Sequence, residues 1–211
     1  MIPDGLRVIN LGLPKSGTTT LGKALDKAGF RVADYRLRQR KDNRRGFVGL
    51  ALYRGYYETG DPLHFLSDYD ALSEINVLRK KRNAWPQTDW GLIEAIRMLH
   101  PGARFLLSSR PPEDHAASMR RWSDLGTGRM PNSSIPGLPM GFGAKPGELE
   151  RWIEGHTAFC RHVFAGAEDF LEYDVADPKA RAKLAGFLGV DLPWWGKANA
   201  NPASGGETSE S

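Results

Sequence analysis

Val8-Ile-Asn-Leu-Gly-Leu-Pro-Lys-Ser-Gly-Thr-Thr-Thr-Leu-Gly-Lys-Ala-Leu25 is the stretch from which the rest of the chain is read. Val8 to Leu13 is an apolar run broken only by Asn10 and Gly12, the composition of a buried strand. Pro14-Lys15-Ser16-Gly17 is a tight turn. Thr18, Thr19 and Thr20 then lead into a segment with Leu21, Leu25 and Ala28 on one face, which is helical spacing, and Gly29 closes it as the residue after the C-cap.

A strand, a glycine-bearing turn and a helix make an anion cradle. The first N–H groups of a helix have no intrahelical partner, point outward and carry the positive end of the helix dipole. A phosphate or sulfate placed there collects several hydrogen bonds. Gly17 allows close approach of the backbone, the three threonines add hydroxyls, and Lys15 adds a full charge that reaches over the loop. Gly12 and Gly17 keep the glycine spacing of the G-x-x-x-x-G-K-[ST] phosphate loop. Thr18, however, stands where that loop has its lysine, and the lysine has moved into the turn as Lys15. The loop is therefore expected to hold an anion, but not as a nucleoside triphosphate is usually held. Its bland alternative is an ordinary strand-to-helix turn with polar decoration.

Composition narrows the class. The chain has 211 residues, 40% of them hydrophobic, enough for one substantial core. The net charge of +4 suits an anionic ligand but is too small to imply nucleic acid. The one cysteine, Cys160, allows neither an internal disulfide nor a cysteine zinc cluster, and the five histidines form no ligand-spaced pair. No signal-peptide pattern and no membrane-length apolar run is present, so a cytoplasmic location is expected.

Downstream, Phe30 to Tyr35 alternates weakly as a second strand. Arg36 to Arg45 is a basic run, read either as an anion-attracting patch or as a solvated face. Phe47 to Tyr57 is an aromatic-rich helix whose rings serve either an acceptor pocket or the core. Tyr69 to Ile75 reads as a strand carrying Glu74 near its carboxyl end, where ligands of open α/β sheets bind. Asn76 to Pro86 reads as an irregular basic loop. Thr88 or Asp89 caps a helix bearing Leu92, Ile93, Ile96 and Leu99. Ala103 to Ser109 is a clear strand that delivers Arg110 at its end. Pro111-Pro112 then opens a helix with Ser118 eight residues beyond Arg110. Ser123 to Gly147 is rich in glycine and proline, a mobile excursion or a lid. Glu148 to Phe164 is an amphipathic helix; His156 and Cys160 on it read as packing residues rather than catalysts. Asp169 to Tyr173 is the last strand. Asp177 and Pro178 read as the cap and first residue of a helix ending at Gly189, and Trp194 and Trp195 as cover for the sheet edge. Residues 198–211 form a polar tail, expected to be disordered. No internal repeat is evident.

Leu13-Pro-Lys-Ser-Gly-Thr-Thr19 resembles the 5′-phosphosulfate loop of the sulfotransferases that use 3′-phosphoadenosine-5′-phosphosulfate (PAPS). Arg110 with Ser118 resembles that family's second motif, an arginine at a strand end and a serine eight residues later. The likeness extends over roughly residues 6 to 195 and includes the closing strand and helix. It implies a reaction that moves a sulfuryl group from PAPS to a hydroxyl or amine, leaving adenosine 3′,5′-bisphosphate. In that reading Lys15, Ser16, Gly17, Thr18, Thr19 and Thr20 hold the 5′-phosphate and sulfuryl oxygens, and Lys15 neutralises charge on the bridging oxygen. Arg110 and Ser118 anchor the 3′-phosphate. The bland use of Arg110 is a structural salt bridge. No metal is required, because Lys15 and the helix N–H groups supply the charge. Members use histidine or glutamate as the acceptor base; Glu74 is favoured by its strand-end position, with His64 and Asp89 as rivals. The Arg-Lys-Gly motif that many cytosolic members use as a third 3′-phosphate contact is absent.

The alternating order of strands and helices predicts an α/β three-layer, P-loop-like fold: a parallel sheet of about five strands (7–12, 31–35, 70–75, 103–109 and 169–173) with helices on both faces. One domain is expected over 1–197. The acceptor is a small molecule, glycan or lipid that the sequence does not name, and a homodimer is left open. Two other functions stay in play. A nucleotide or small-molecule kinase would bind ATP and Mg²⁺; a non-catalytic nucleotide-binding module would hold adenosine 3′,5′-bisphosphate without turnover.

Overall fold

The computed structural model describes residues 2–37, 46–196 and 198. The first strand, β1 (Arg7–Asn10), is central to the sheet because its side chains are buried on both faces. Val8 points into one core with Leu21, Leu25 and Leu106; Ile9 points into the other with Leu52, Ile93 and Phe105. A continuously apolar run is what a doubly covered parallel strand requires.

After β1 come α1 (Thr18–Lys27), β2 (Val32–Asp34), β3 (Arg36–Leu37), β4 (Gly46–Phe47) and α2 (Val48–Thr59). They are followed by β5 (Ala71–Glu74), the β6 (Val77–Arg79) and β7 (Arg82–Ala84) hairpin, and α3 (Trp90–Leu99). Then come β8 (Ala103–Ser109), α4 (Pro112–Arg121), α5 (Glu148–Val163), β9 (Phe170–Asp174) and α6 (Ala180–Leu188). The main sheet runs β4-β3-β2-β5-β1-β8-β9. Its five strands β2, β5, β1, β8 and β9 are parallel, and β3 and β4 extend one edge in antiparallel fashion. The expected α/β three-layer fold and all five expected strands are present.

Helices α1 and α6 cover one face through Leu21, Leu25, Leu184 and Leu188. Helices α2, α3 and α5 cover the other through Leu52, Ile93, Ile96 and Cys160. Truncating one of these buried leucines to alanine costs about 2–5 kcal/mol. A third cluster joins α4 and α5 to the 123–147 segment, through Met119, Leu125, Met130, Ile135, Leu138 and Trp152. That segment contains a π-helical turn at Leu125–Arg129.

Three local readings are revised, and the aromatic stripe of α2 is decided in favour of packing. Residues 76–86 form the β6/β7 hairpin instead of an irregular loop, because Val77 and Ala84 pack against Phe47 and give it an apolar face. The aromatic stripe of α2 lies outside the cavity described below; Phe47 joins that small core and Tyr53 packs against the main one. Asp177 does not begin α6: its carboxylate accepts from Lys179 N at 2.8 Å and its carbonyl from Ala180 N at 2.9 Å, closing a turn before the helix. Trp195 packs edge-on against Tyr173 of the edge strand β9, as expected, whereas Trp194 lies under the Lys23 ammonium. Of the basic run only Arg36 is described; residues 38–45, and the tail from 199 onward, lie outside the described residues. Among the described residues no helix is long and apolar enough to cross a membrane.

Candidate active site

Because the five central strands are parallel, their carboxyl ends meet along one edge, in the order β2, β5, β1, β8, β9. The segments that leave them line a single cavity of about 890 Å³. Asp34 ends β2 and Tyr35 follows it, Glu74 ends β5 and Asn76 lies just beyond, and Pro14, Lys15 and Gly17 to Thr20 follow β1. Arg110 and Ser118 follow β8, and Val175 to Pro178 follow β9. Lys15, Gly17, Thr18, Thr19, Thr20, Glu74, Arg110 and Ser118, all singled out from the sequence, are thus brought together.

The loop after β1 has the local features of an anion cradle. Gly17 sits at φ +105°, and a Cβ there would come within 2.6 Å of Val175. Only glycine meets both conditions. Lys15 is also left-handed, at φ +71°. No side chain caps α1 and its first turn holds no acidic residue, so nothing within the helix offsets the positive end of its dipole. Hydroxyls of the loop have partners within the chain. Thr18 Oγ1 donates to Glu74 Oε2 at 2.8 Å, and Thr20 Oγ1 donates to Gly196 O at 3.1 Å. Ser16 is buried, does not line the cavity, and shares a 2.6 Å hydrogen bond with Ser108.

Beneath the loop lies a polar network that the sequence reading missed. Asn10 Nδ2 donates to Ser73 O at 2.8 Å and to Ser108 Oγ at 3.1 Å. Its Oδ1 accepts from Gly12 N and Ser108 N, each at 3.2 Å. One side chain thereby ties β1, β5, β8 and the loop. His115 Nε2 donates to Pro14 O and His156 Nε2 to Leu11 O, both at 2.8 Å. A carbonyl only accepts, so both rings carry the proton on Nε2. Burial holds both imidazoles neutral, with pKa values lowered to about 4. Their only forerunner in the sequence was a histidine at core spacing in the helix containing His156.

Charge in the cavity is uneven. Lys15 Nζ lies 3.6 Å from the centroid of the Trp122 ring, a cation–π contact. Burial lowers its pKa; Glu74 opposes this, and Arg110 and Arg121 add to it. Burial pushes the Glu74 carboxyl up to about 7, with Asp34 adding to the rise and the Thr18 hydroxyl and Lys15 opposing it. Among the described residues Arg110 has no carboxylate partner, so the salt-bridge use finds no support; its one hydrogen bond is a long one, 3.4 Å, to Lys15 O. The rival bases lie elsewhere. Asp89 caps α3 by accepting from Leu92 N, and His64 packs edge-on against Phe65 in a 3₁₀ turn; neither lines the cavity. Arg121, Trp122, Tyr35 and Arg79 line it without having been picked out from the sequence.

No curated protein matches this sequence. A family model described as a sulfotransferase domain matches residues 7–135, more than half of the chain, and that span carries the loop, Glu74, Arg110 and Ser118. The chain belongs to the sulfotransferase-domain family.

Proposed function

We propose that the protein transfers the sulfuryl group of PAPS to a hydroxyl or amine acceptor by in-line displacement. The observation that carries this reading is the convergence of the Lys15 loop, Arg110 with Ser118, and Glu74 on one cavity large enough for nucleotide and acceptor together. The first-turn N–H groups of α1 and Lys15 bind the phosphosulfate, and Arg110 and Ser118 take the 3′-phosphate. The acceptor oxygen or nitrogen forms a bond to sulfur as the bond from sulfur to the 5′-phosphate oxygen breaks. Electrons of the broken bond stay on adenosine 3′,5′-bisphosphate, where Lys15 offsets the new charge. The acceptor proton passes to the Glu74 carboxylate. A carboxyl with a pKa near 7 is well matched to that task at neutral pH.

The test is to incubate the protein with PAPS and a panel of hydroxyl and amine acceptors, following release of adenosine 3′,5′-bisphosphate. Acceptor-dependent release, abolished in Lys15→Ala, is the expected result. Tight bisphosphate binding with no release for any acceptor would leave a nucleotide-binding module in place of an enzyme.

A further inference from the structure

The order of strands divides the cavity. The residues assigned to the nucleotide leave β1 and β8, whereas Glu74 ends β5 and Tyr35 follows β2, on the opposite side of β1. An acceptor that presents its nucleophile to Glu74 therefore extends over β5 and β2, towards Tyr35 and Arg79.

That end is built around a tyrosine in a costly conformation. Tyr35 has φ +58°, in the left-handed region that non-glycine residues avoid. Its N donates to Glu74 O at 3.0 Å, its O accepts from Val48 N at 3.1 Å, and its ring meets Phe47 edge-on at 5.1 Å. The phenol oxygen accepts from Arg79 Nε at 2.7 Å, and the guanidinium carbon lies 5.6 Å from the Tyr35 ring and 6.0 Å from Phe47. Arg79 is thus oriented through Nε alone. Among the described residues its two terminal nitrogens have no hydrogen-bond partner and no carboxylate pairs with it. Arg129 stands nearby, fixed by Asp124 at 2.7 Å and by Leu78 O at 3.2 Å. A held guanidinium with its fork open to a cavity recognises a planar or tetrahedral oxyanion.

We propose that Tyr35 and Arg79, with Arg129 beside them, form an acceptor subsite for an anionic group, so that the acceptor is a hydroxyl- or amine-bearing molecule that already carries a carboxylate or sulfate. Its role as an acceptor subsite rests on the sulfotransferase reading; its preference for anions does not.

The experiment is calorimetric titration of the full chain with D-glucuronate, glucose 6-sulfate and uncharged D-glucose, with and without saturating adenosine 3′,5′-bisphosphate. The charged sugars are expected to bind about tenfold tighter than glucose, the carboxylate and sulfate arms showing which anion is preferred. Arg79→Ala is expected to erase that preference, and Arg79→Lys to keep part of it, while bisphosphate affinity stays within about a factor of two. Charged and uncharged sugars binding alike, or none of them binding, would overturn the subsite, as would a preference that survives Arg79→Ala. Failure of the wild type to bind the bisphosphate would instead remove the nucleotide assignment, and the titration without nucleotide would still decide the anion question.

Discussion

Thr18 Oγ1 donates a 2.8 Å hydrogen bond to Glu74 Oε2, joining the first residue of α1 to the last residue of β5. The bond orients the carboxylate, and it opposes the burial that raises the Glu74 pKa. The proposed donor loop and the proposed base are therefore one mechanical unit.

If Glu74 accepts the acceptor proton, kcat rises with pH through about 7, as the carboxyl ionises. Glu74→Gln is expected to lower kcat by about 10²–10⁴-fold while leaving bisphosphate affinity in place. Thr18→Val removes a contact that favours the charged form, so the rising limb should move to higher pH. A pH–rate profile of the three proteins checks this. The stability effect has the opposite sign from the common carboxylate case. The folded pKa lies above the ordinary 4.5, so the stabilising contribution is present below that value and is lost as pH rises through about 7. Glu74→Gln should therefore raise Tm relative to wild type at pH 8 and not at pH 4.

His115 and His156 give a second pH effect. Burial lowers both pKa values from the ordinary 6.5 to about 4. The fold favours the neutral rings, so their contribution to stability is complete above 6.5 and is lost as pH falls towards 4. Thermal melts of wild type and His156→Gln over that interval should differ in slope, the variant being the flatter. Parallel slopes would show that other groups govern acid unfolding.

Gly17→Ala places a methyl against Val175 and keeps φ in the left-handed region. A destabilisation of about 1–3 kcal/mol is expected, together with loss of anion binding, since the loop has to shift. Val175→Ala added to Gly17→Ala should restore the steric part but not the conformational part, and denaturant titration of the single and double variants measures the split.

The readable parts of this molecule are those written in contiguous residues. Val8 to Leu13 and Ala103 to Ser109 are largely apolar runs because both faces of those strands are covered, so the sheet centre was legible. The short strands β3, β4, β6 and β7 were not. Each is two or three residues long, three of the four carry arginine, and they are recognisable only by their partners. The loop and the Arg110–Ser118 spacing announced themselves because a strand and a helix fix their relation. Asn10 gave no such signal: its four hydrogen bonds reach Ser73, Ser108 and Gly12, two of them on other strands. Asp89 was ambiguous as a cap or a base until its bond to Leu92 N showed the cap. Tyr35 and Arg79, 44 residues apart, become a pair only when β6 folds back beside the end of β2.

The most direct test is calorimetric binding of adenosine 3′,5′-bisphosphate, against ADP and ATP·Mg²⁺, to wild type and Arg110→Ala. The expected result is a bisphosphate preference over ADP of about tenfold or more, lost in the variant, as removal of one charge-assisted contact to the 3′-phosphate requires. Equal affinity for ADP and the bisphosphate in the wild type would contradict the 3′-phosphate site, and tight ATP·Mg²⁺ binding would point to a kinase instead.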